Sequence, residues 1–372
     1  MNRSALLLCL VACTATPTDT QGESSEPGDT TAANSTTRVA PTTGEALTTT
    51  TGAATTDATT TGATTGDADP CTASPQALAD CVDPQRWQDD IEFIADIRTP
   101  GSPHWQAVQD LCADRLTDAG FEVQLQDYGT GTNVVGRRLG AALPGEHVVI
   151  SAHYDHIPDC LGADDNASGV AAALEVARVL ALAEFDRTLI VGCWDEEELG
   201  LIGSEAYVAA AQAAGDTIVA VFNYDMIGYY DEAPDSQTVP PGFDLAFPDA
   251  YAELEATNFS GDFIAAVSDA ESHAASLAFG AAADRIGMRK ALLELPAGTE
   301  ATDLFADLRR SDHAAFWDAG FPAIFLTDSG EFRNHNYHCM AGPDVVADLT
   351  PSFAVDVTRA TVEASAITLG GL

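Results

Sequence analysis

An α/β fold with a mostly parallel central sheet and helices on both faces is predicted by three features of the 372-residue sequence. Short apolar runs at 148–150, 189–191 and 218–222 have the β-branched content of buried strands. Stretches with apolar residues at helical spacing separate them, and that alternation implies parallel pairing with helices on each face. Each run also ends in acids or histidine: Ser151-Ala-His153-Tyr-Asp155-His156, then Trp194-Asp-Glu196-Glu197-Glu198-Leu-Gly200, then Asn223-Tyr224-Asp225-Met226. In an open α/β sheet, ligands bind at that edge.

Order is expected from about residue 71. Residues 84–97 carry Trp87, Ile91, Ile94 and Ala95 at helical spacing, and Arg98-Thr-Pro-Gly-Ser-Pro103 breaks that helix. A second helix over about 104–119 ends at Gly120. Residues 121–126 alternate as a strand, and 133–139 pair with it across the Gly129-Thr-Gly131 turn. Then follow the strand ending at His153, a helix from about Ala167, the strand ending at Trp194, a helix over 204–214 and the strand over 218–222. Residues 229–260, rich in Pro and Asp, read as an irregular excursion that rims the site, because long loops are commonly functional. Strands at 263–267 and 323–326 flank a helix at 274–286, and a helix over 353–369 closes the chain.

Residues 1–12 read as an export signal. Arg3 precedes a short apolar stretch, Ala5 to Ala12, whereas a bilayer span takes about 20 residues. The tetrad Leu10-Val11-Ala12-Cys13 resembles a bacterial lipobox, which implies a lipid on Cys13 and attachment to the cell envelope; the alternative is an ordinary secretory signal. Residues 13–70 are mainly Thr, Ala, Gly, Ser and Asp, too polar to offset the entropy of ordering, and read as a disordered tether. The folded domain is then 71–372. The formal net charge is −41, from 57 acidic against 16 basic residues. Such a field disfavours nucleic acid and anionic lipid as partners, leaving the lipid on Cys13 as the only expected tie to a membrane.

With Cys9 in the signal and Cys13 assigned to lipid, six cysteines remain, an even number that suggests disulfides in an exported chain. Cys71 is expected to pair with Cys81 or Cys112, and Cys160 with Cys339, since both of the latter flank proposed ligands. Cys193, inside an apolar strand, reads as a buried free thiol.

The strand-end residues have the chemistry of a two-zinc site. Catalytic zinc takes imidazole nitrogen and carboxylate oxygen and keeps a position for water. Two ions about 3.5–4 Å apart need a carboxylate that bridges them. Two histidines, a bridging Asp and two terminal carboxylates meet that need. The strand ends supply His153, Asp165 from Gly162-Ala-Asp164-Asp165-Asn166-Ala-Ser-Gly169, one of the three consecutive glutamates, and Asp225. The second histidine must come from Arg333-Asn-His335-Asn-Tyr-His338, which offers two.

These segments, together with Ser311-Asp312-His313, resemble in type and order the M28 family of zinc peptidases, over roughly residues 86–369. The resemblance implies that His153 and Asp225 hold one zinc, Glu198 and His338 the other, and that Asp165 bridges them. Gly200 anchors the family's glutamate pair as Glu197 and Glu198, which makes Glu197 the general base toward a zinc-bound water and leaves Glu196 outside. Asp155 resembles the carboxylate that orients the histidine two residues before it. Asp312 and His313 match a family motif beside the site. Asn166 is expected to follow a strained peptide next to Asp165. The family usually follows its last histidine with Thr-Pro-x-Asp-Thr, whereas here Cys339-Met-Ala-Gly-Pro-Asp344 follows His338.

The implied activity is hydrolysis of peptide bonds by an aminopeptidase that needs two Zn2+ and a substrate with a free N-terminus. The rival readings are a glutaminyl cyclase-like enzyme with one zinc and a catalytically silent surface lipoprotein. No Gly-x-Ser-x-Gly elbow is present, which disfavours serine hydrolysis.

Overall fold

The computed structural model describes residues 70–372. The expected signal segment, Cys13 and all but the last residue of the 13–70 tether lie outside them. Three helices come first, and the same local chemistry starts each. Helix α1 (Pro75–Asp80), α2 (Pro84–Ile94) and α3 (Pro103–Asp118) all carry proline at the first position, where its missing N–H costs nothing. Ahead of each proline a short polar side chain caps the helix. Ser74 Oγ accepts from Ala77 N at 3.1 Å, Asp83 Oδ1 from Gln85 N at 2.9 Å, and Ser102 Oγ from Trp105 N at 3.1 Å.

The strands are β1 (Glu122–Asp127), β2 (Thr132–Arg138), β3 (Leu143–His153), β4 (Arg187–Trp194), β5 (Thr217–Tyr224), β6 (Ile264–Ser268), β7 (Lys290–Glu294) and β8 (Ile324–Thr327). They form one eight-stranded sheet in the order β1-β2-β4-β3-β5-β8-β6-β7. The four central strands β4, β3, β5 and β8 are parallel neighbours. Strand β2 joins β4, β1 joins β2 and β6 joins β8 antiparallel, so the sheet is parallel at its centre and mixed toward its edges. The edge strand β7 pairs with β6 in parallel.

The connecting helices are α4 (Gly169–Leu180), α5 (Ile202–Ala214), α6 (Phe243–Ala246), α7 (Pro248–Ala256), α8 (His273–Ile286), α9 (His313–Asp318) and α10 (Pro351–Leu369). Side chains alternate across the sheet, as the pleat requires. Val148, Ile150 and Ala152 of β3 enter one core, with Trp87 of α2, Val170 of α4, Phe279 of α8 and Phe353 of α10. Val149 enters the other, with Tyr207 of α5, Leu254 of α7 and Phe316 of α9. Both faces of β3 are therefore covered, which explains its continuous apolar run. Among the described residues no helix is long and apolar enough to cross a membrane.

Several details differ from the sequence reading. Helix α4 begins at Gly169, later than the expected Ala167, because Asp165 and Asn166 lie outside helical backbone angles. Helix α1 and strand β7 were not anticipated. The 229–260 segment is less irregular than expected, since α6 and α7 lie within it. The disulfides are Cys71–Cys81 and Cys160–Cys339, with Cα separations of 5.9 and 5.8 Å, and Cys112 and Cys193 are buried free thiols.

Trp87 is the largest wholly buried side chain in the first core, and its indole N–H donates to the Ser168 carbonyl at 3.2 Å. Trp87→Ala is expected to lower the unfolding free energy by about 3–5 kcal/mol in denaturant titration, the usual cost of emptying such a site.

Candidate metal centre

Parallel packing places the carboxyl ends of β4, β3 and β5 side by side, and the chemically active residues follow from them. His153 ends β3; Asp155, His156 and Asp165 lie between β3 and α4; Glu197 and Glu198 follow β4; Asp225 follows β5. His338 comes from the loop after β8. All but His338 and Glu198 are buried.

Two groups of donor atoms meet there. In the first, His153 Nε2 lies 3.5 Å from Asp225 Oδ1, 3.3 Å from Asp165 Oδ1 and 3.9 Å from Glu197 Oε2. In the second, His338 Nε2 lies 3.2 Å from Asp165 Oδ2 and 3.0 Å from Glu198 Oε2, while His156 Nδ1 lies 2.7 Å from Glu198 Oε1. Donors on one tetrahedral zinc are separated by about 3.3 Å, given bond lengths near 2.0–2.1 Å. Asp165 belongs to both groups: its Oδ1 faces His153 and its Oδ2 faces His338.

Backbone contacts fix the donors. Asp155 accepts from the N–H of Glu197 at 3.0 Å and of Glu198 at 3.3 Å, and its Oδ1 lies 3.5 Å from His153 Nδ1. His153 Nδ1 also meets the Asp155 backbone carbonyl at 3.3 Å, so Asp155 orients the histidine while its carboxylate anchors the glutamate pair. The pair sits in a turn rather than in extended chain, with Glu196 at φ 55° and Gly200 at φ 110°. Asn166, joined to Asp165 by a cis peptide, donates to Tyr224 O at 2.9 Å and accepts from Met226 N at 3.4 Å, gripping both sides of Asp225. Asp344 accepts from Asp164 N at 3.0 Å and Asp165 N at 3.1 Å. The buried Arg98 guanidinium donates to the carbonyls of Leu161, Gly162 and Asp165 at 2.6–2.7 Å.

Charge is concentrated here, and the titrating groups respond to it. Burial pushes Glu197 well above the usual carboxylate range; His153 opposes this, and Asp225, Asp312 and Glu198 add to it. Burial would also raise Asp165, but His156, His153 and His338 outweigh it and hold that carboxyl well below its ordinary value. Burial disfavours charge on His338, yet Asp165 and Glu198 prevail and push it up to about 10. Asp165 and the imidazoles around it therefore stabilise each other's charged forms, whereas at Glu197 burial prevails.

The donor set fits zinc. His153 Nε2, Asp225 Oδ1, His156 Nδ1 and Glu198 Oε1 are buried and make no hydrogen bond. An unpaired buried polar atom costs on the order of 1–3 kcal/mol, so two such atoms in each donor group call for a cation there.

The structure brings together His153, Asp165, Glu198, Asp225 and His338, and sets Glu197 beside the first group and Asp155 behind both. His335, the other histidine considered, is exposed and outside the cluster. Asp312 is fully buried and close enough to contribute to the field on Glu197. His313 departs from expectation: its Nε2 bonds to Leu308 O at 2.8 Å and its ring stacks on Phe325, so it faces the core and not the donors. The sequence reading missed His156, Arg98 and Asp344 as site residues. His156 stands in the His153-Tyr-Asp155-His156 motif and could have been flagged; Arg98 carried no local signal.

Fold and donors together define an α/β protein with a metal centre at the carboxyl edge of its parallel strands. Known proteins agree. The model of peptidase family M28 matches residues 133–360, and the chain belongs to that family. It is 34% identical over 164 residues to leupeptin-inactivating enzyme 1 of Streptomyces exfoliatus, covering 42% of this chain and 37% of that one. It is 31% identical over 206 residues to YfbL of Escherichia coli, covering 52% of this chain and 59% of that one. The chain thus spans less than two thirds of these relatives. The fold is also that of the Legionella pneumophila LapA aminopeptidase, with TM-score 0.59 at 16% identity over 80% of this chain and 75% of that one.

Asp344→Ala leaves the two N–H groups beside the shared carboxylate unpaired. The expected outcome is a loss of about 1–3 kcal/mol in denaturant titration and weaker zinc uptake by calorimetry.

Proposed function

We propose that the chain is a two-zinc peptidase, acting as an aminopeptidase on peptides with a free N-terminus. The observation that carries this reading is the pair of buried donor groups joined by Asp165, with Glu197 beside them. In this reading His153, Asp165 and Asp225 hold one ion, and Asp165, Glu198 and His338 hold the other. Zinc there supplies Lewis acidity, polarising the scissile carbonyl and making a water easier to deprotonate.

The protein's own residues do the rest. Glu197 accepts the proton of the attacking water at its carboxylate and later delivers it to the leaving amine. Asp155 holds the Glu197 backbone, so the carboxylate keeps its place while it changes protonation state. A pocket leads away from the donors, with walls from Val239, Phe243, Leu254, Phe263, Leu293 and Phe325. Phe243 and Leu254 belong to α6 and α7, which gives the 229–260 segment a place beside the substrate. Those walls suit an apolar side chain at the substrate N-terminus, and the acidic surroundings suit its ammonium group. Export and a lipid on Cys13 belong to the same reading and rest on residues 1–13 alone.

The glutaminyl cyclase reading has a basis in the fold: the Porphyromonas gingivalis enzyme shares it with TM-score 0.52 at 17% identity, over 78% of this chain and 98% of that one. Two complete donor groups favour hydrolysis instead. A panel of free and N-blocked peptides separates them. Free peptides beginning with apolar residues should be cleaved and blocked ones spared; ring closure of N-terminal glutamine without cleavage would overturn the proposal.

Two substitutions test the roles. Glu197→Gln should keep full zinc content and lose at least about a hundredfold in kcat, within the usual range for a lost general base; normal turnover would remove Glu197 from that role. Glu198→Ala should lose zinc by elemental analysis, and full occupancy would remove it as a ligand.

A further inference from the structure

We propose that His156 is an additional zinc ligand, giving the second ion two imidazoles where the first has one. The inference rests on the two-zinc reading above and concerns a residue outside the donor set that the family resemblance implies. His156 is wholly buried, and both its ring nitrogens lack a hydrogen bond. Its Nδ1 lies 2.7 Å from Glu198 Oε1 and 3.9 Å from Asp165 Oδ1. Although 2.7 Å is a hydrogen-bonding separation, Glu198 Oε1 is also without a hydrogen bond, so the two atoms are near but not aligned as donor and acceptor. Atoms placed in this way share a target. Nδ1 of His156, with Asp165 and Glu198, forms a compact group of potential ligand atoms, all within 4.8 Å of one another.

The ring is also held in place. Gly162 sits against it at φ 58°, where a Cβ would come within 2.5 Å of His156 Cδ2. On the other side the His338 ring meets it edge-on, with centroids 5.9 Å apart. The His156 backbone N–H donates to the Arg98 carbonyl at 3.3 Å, and the Arg98 side chain ties down the loop that carries Gly162 and Asp165. A buried, oriented imidazole facing a carboxylate pair is what a zinc ligand requires.

The consequence is asymmetry. His156, His338, Glu198 and the shared Asp165 complete four ligands on the second ion. The first has His153, Asp225 and Asp165, and keeps a position beside Glu197. The second ion should therefore be retained longer when zinc is withdrawn.

The test uses zinc-loaded wild type and the His156→Asn and His156→Ala variants, titrated with a chromophoric chelator, with zinc counted at each step. Wild type should release its two ions in two steps, and the variants should hold the second ion at least about tenfold more weakly. Variants that release zinc as wild type does would overturn the assignment. X-ray absorption of wild type at the zinc edge gives an answer that needs no variant: three imidazoles shared by two ions support the proposal, and two overturn it. Wild type that never takes up two ions would overturn the two-zinc reading itself, a result distinct from failure of His156.

Discussion

Asp165 has imidazoles on either side of it, His153 at 3.3 Å on one oxygen and His338 at 3.2 Å on the other, and much of the structure serves to keep it there. A buried carboxylate in that position is costly unless it is paired. Three histidines lower its proton affinity, and Asp344 and Arg98 hold its backbone from two sides. Asn166 then links it to the peptides around Asp225. The two donor groups are thus parts of one hydrogen-bonded frame, and displacing Asp165 would disturb both.

The parallel sheet explains how that frame is assembled. Strands β4, β3 and β5 deliver Glu197 and Glu198, His153 and Asp225 to one edge with little freedom, because each strand is locked by neighbours on both sides. His338 is different, since it rides on a loop. The disulfide between Cys160 and Cys339 fastens that loop beside His338 to the segment that carries His156 and Asp165. The covalent tie serves where a strand is not available.

Much of this was legible in the sequence. The central strands announced themselves as apolar runs ending in acids, and the resemblance to the M28 family, through Gly200, implied the register of Glu197 and Glu198. What escaped notice depended on contacts distant in sequence. Strand β7, Lys-Ala-Leu-Leu-Glu, has no strand-like composition and is ordered by pairing with β6. Arg98 looked like part of a helix break, and only the fold shows that it reaches Gly162 and Asp165. Helix α1 is a plain omission, because Ser74-Pro75 carries the same start signal as Asp83-Pro84 and Ser102-Pro103. The match between His313 and a family motif gave its position in the chain but not its direction, which packing against Phe325 decides.

In the proposed two-zinc site, Asp165 is the residue that both ions share. Anomalous diffraction at the zinc edge, from crystals of the zinc-loaded protein, tests it most directly. Two peaks are expected on opposite sides of the Asp165 carboxylate, one against His153 and Asp225 and the other against Glu198 and His338. A single peak, or two that do not share Asp165, would contradict it.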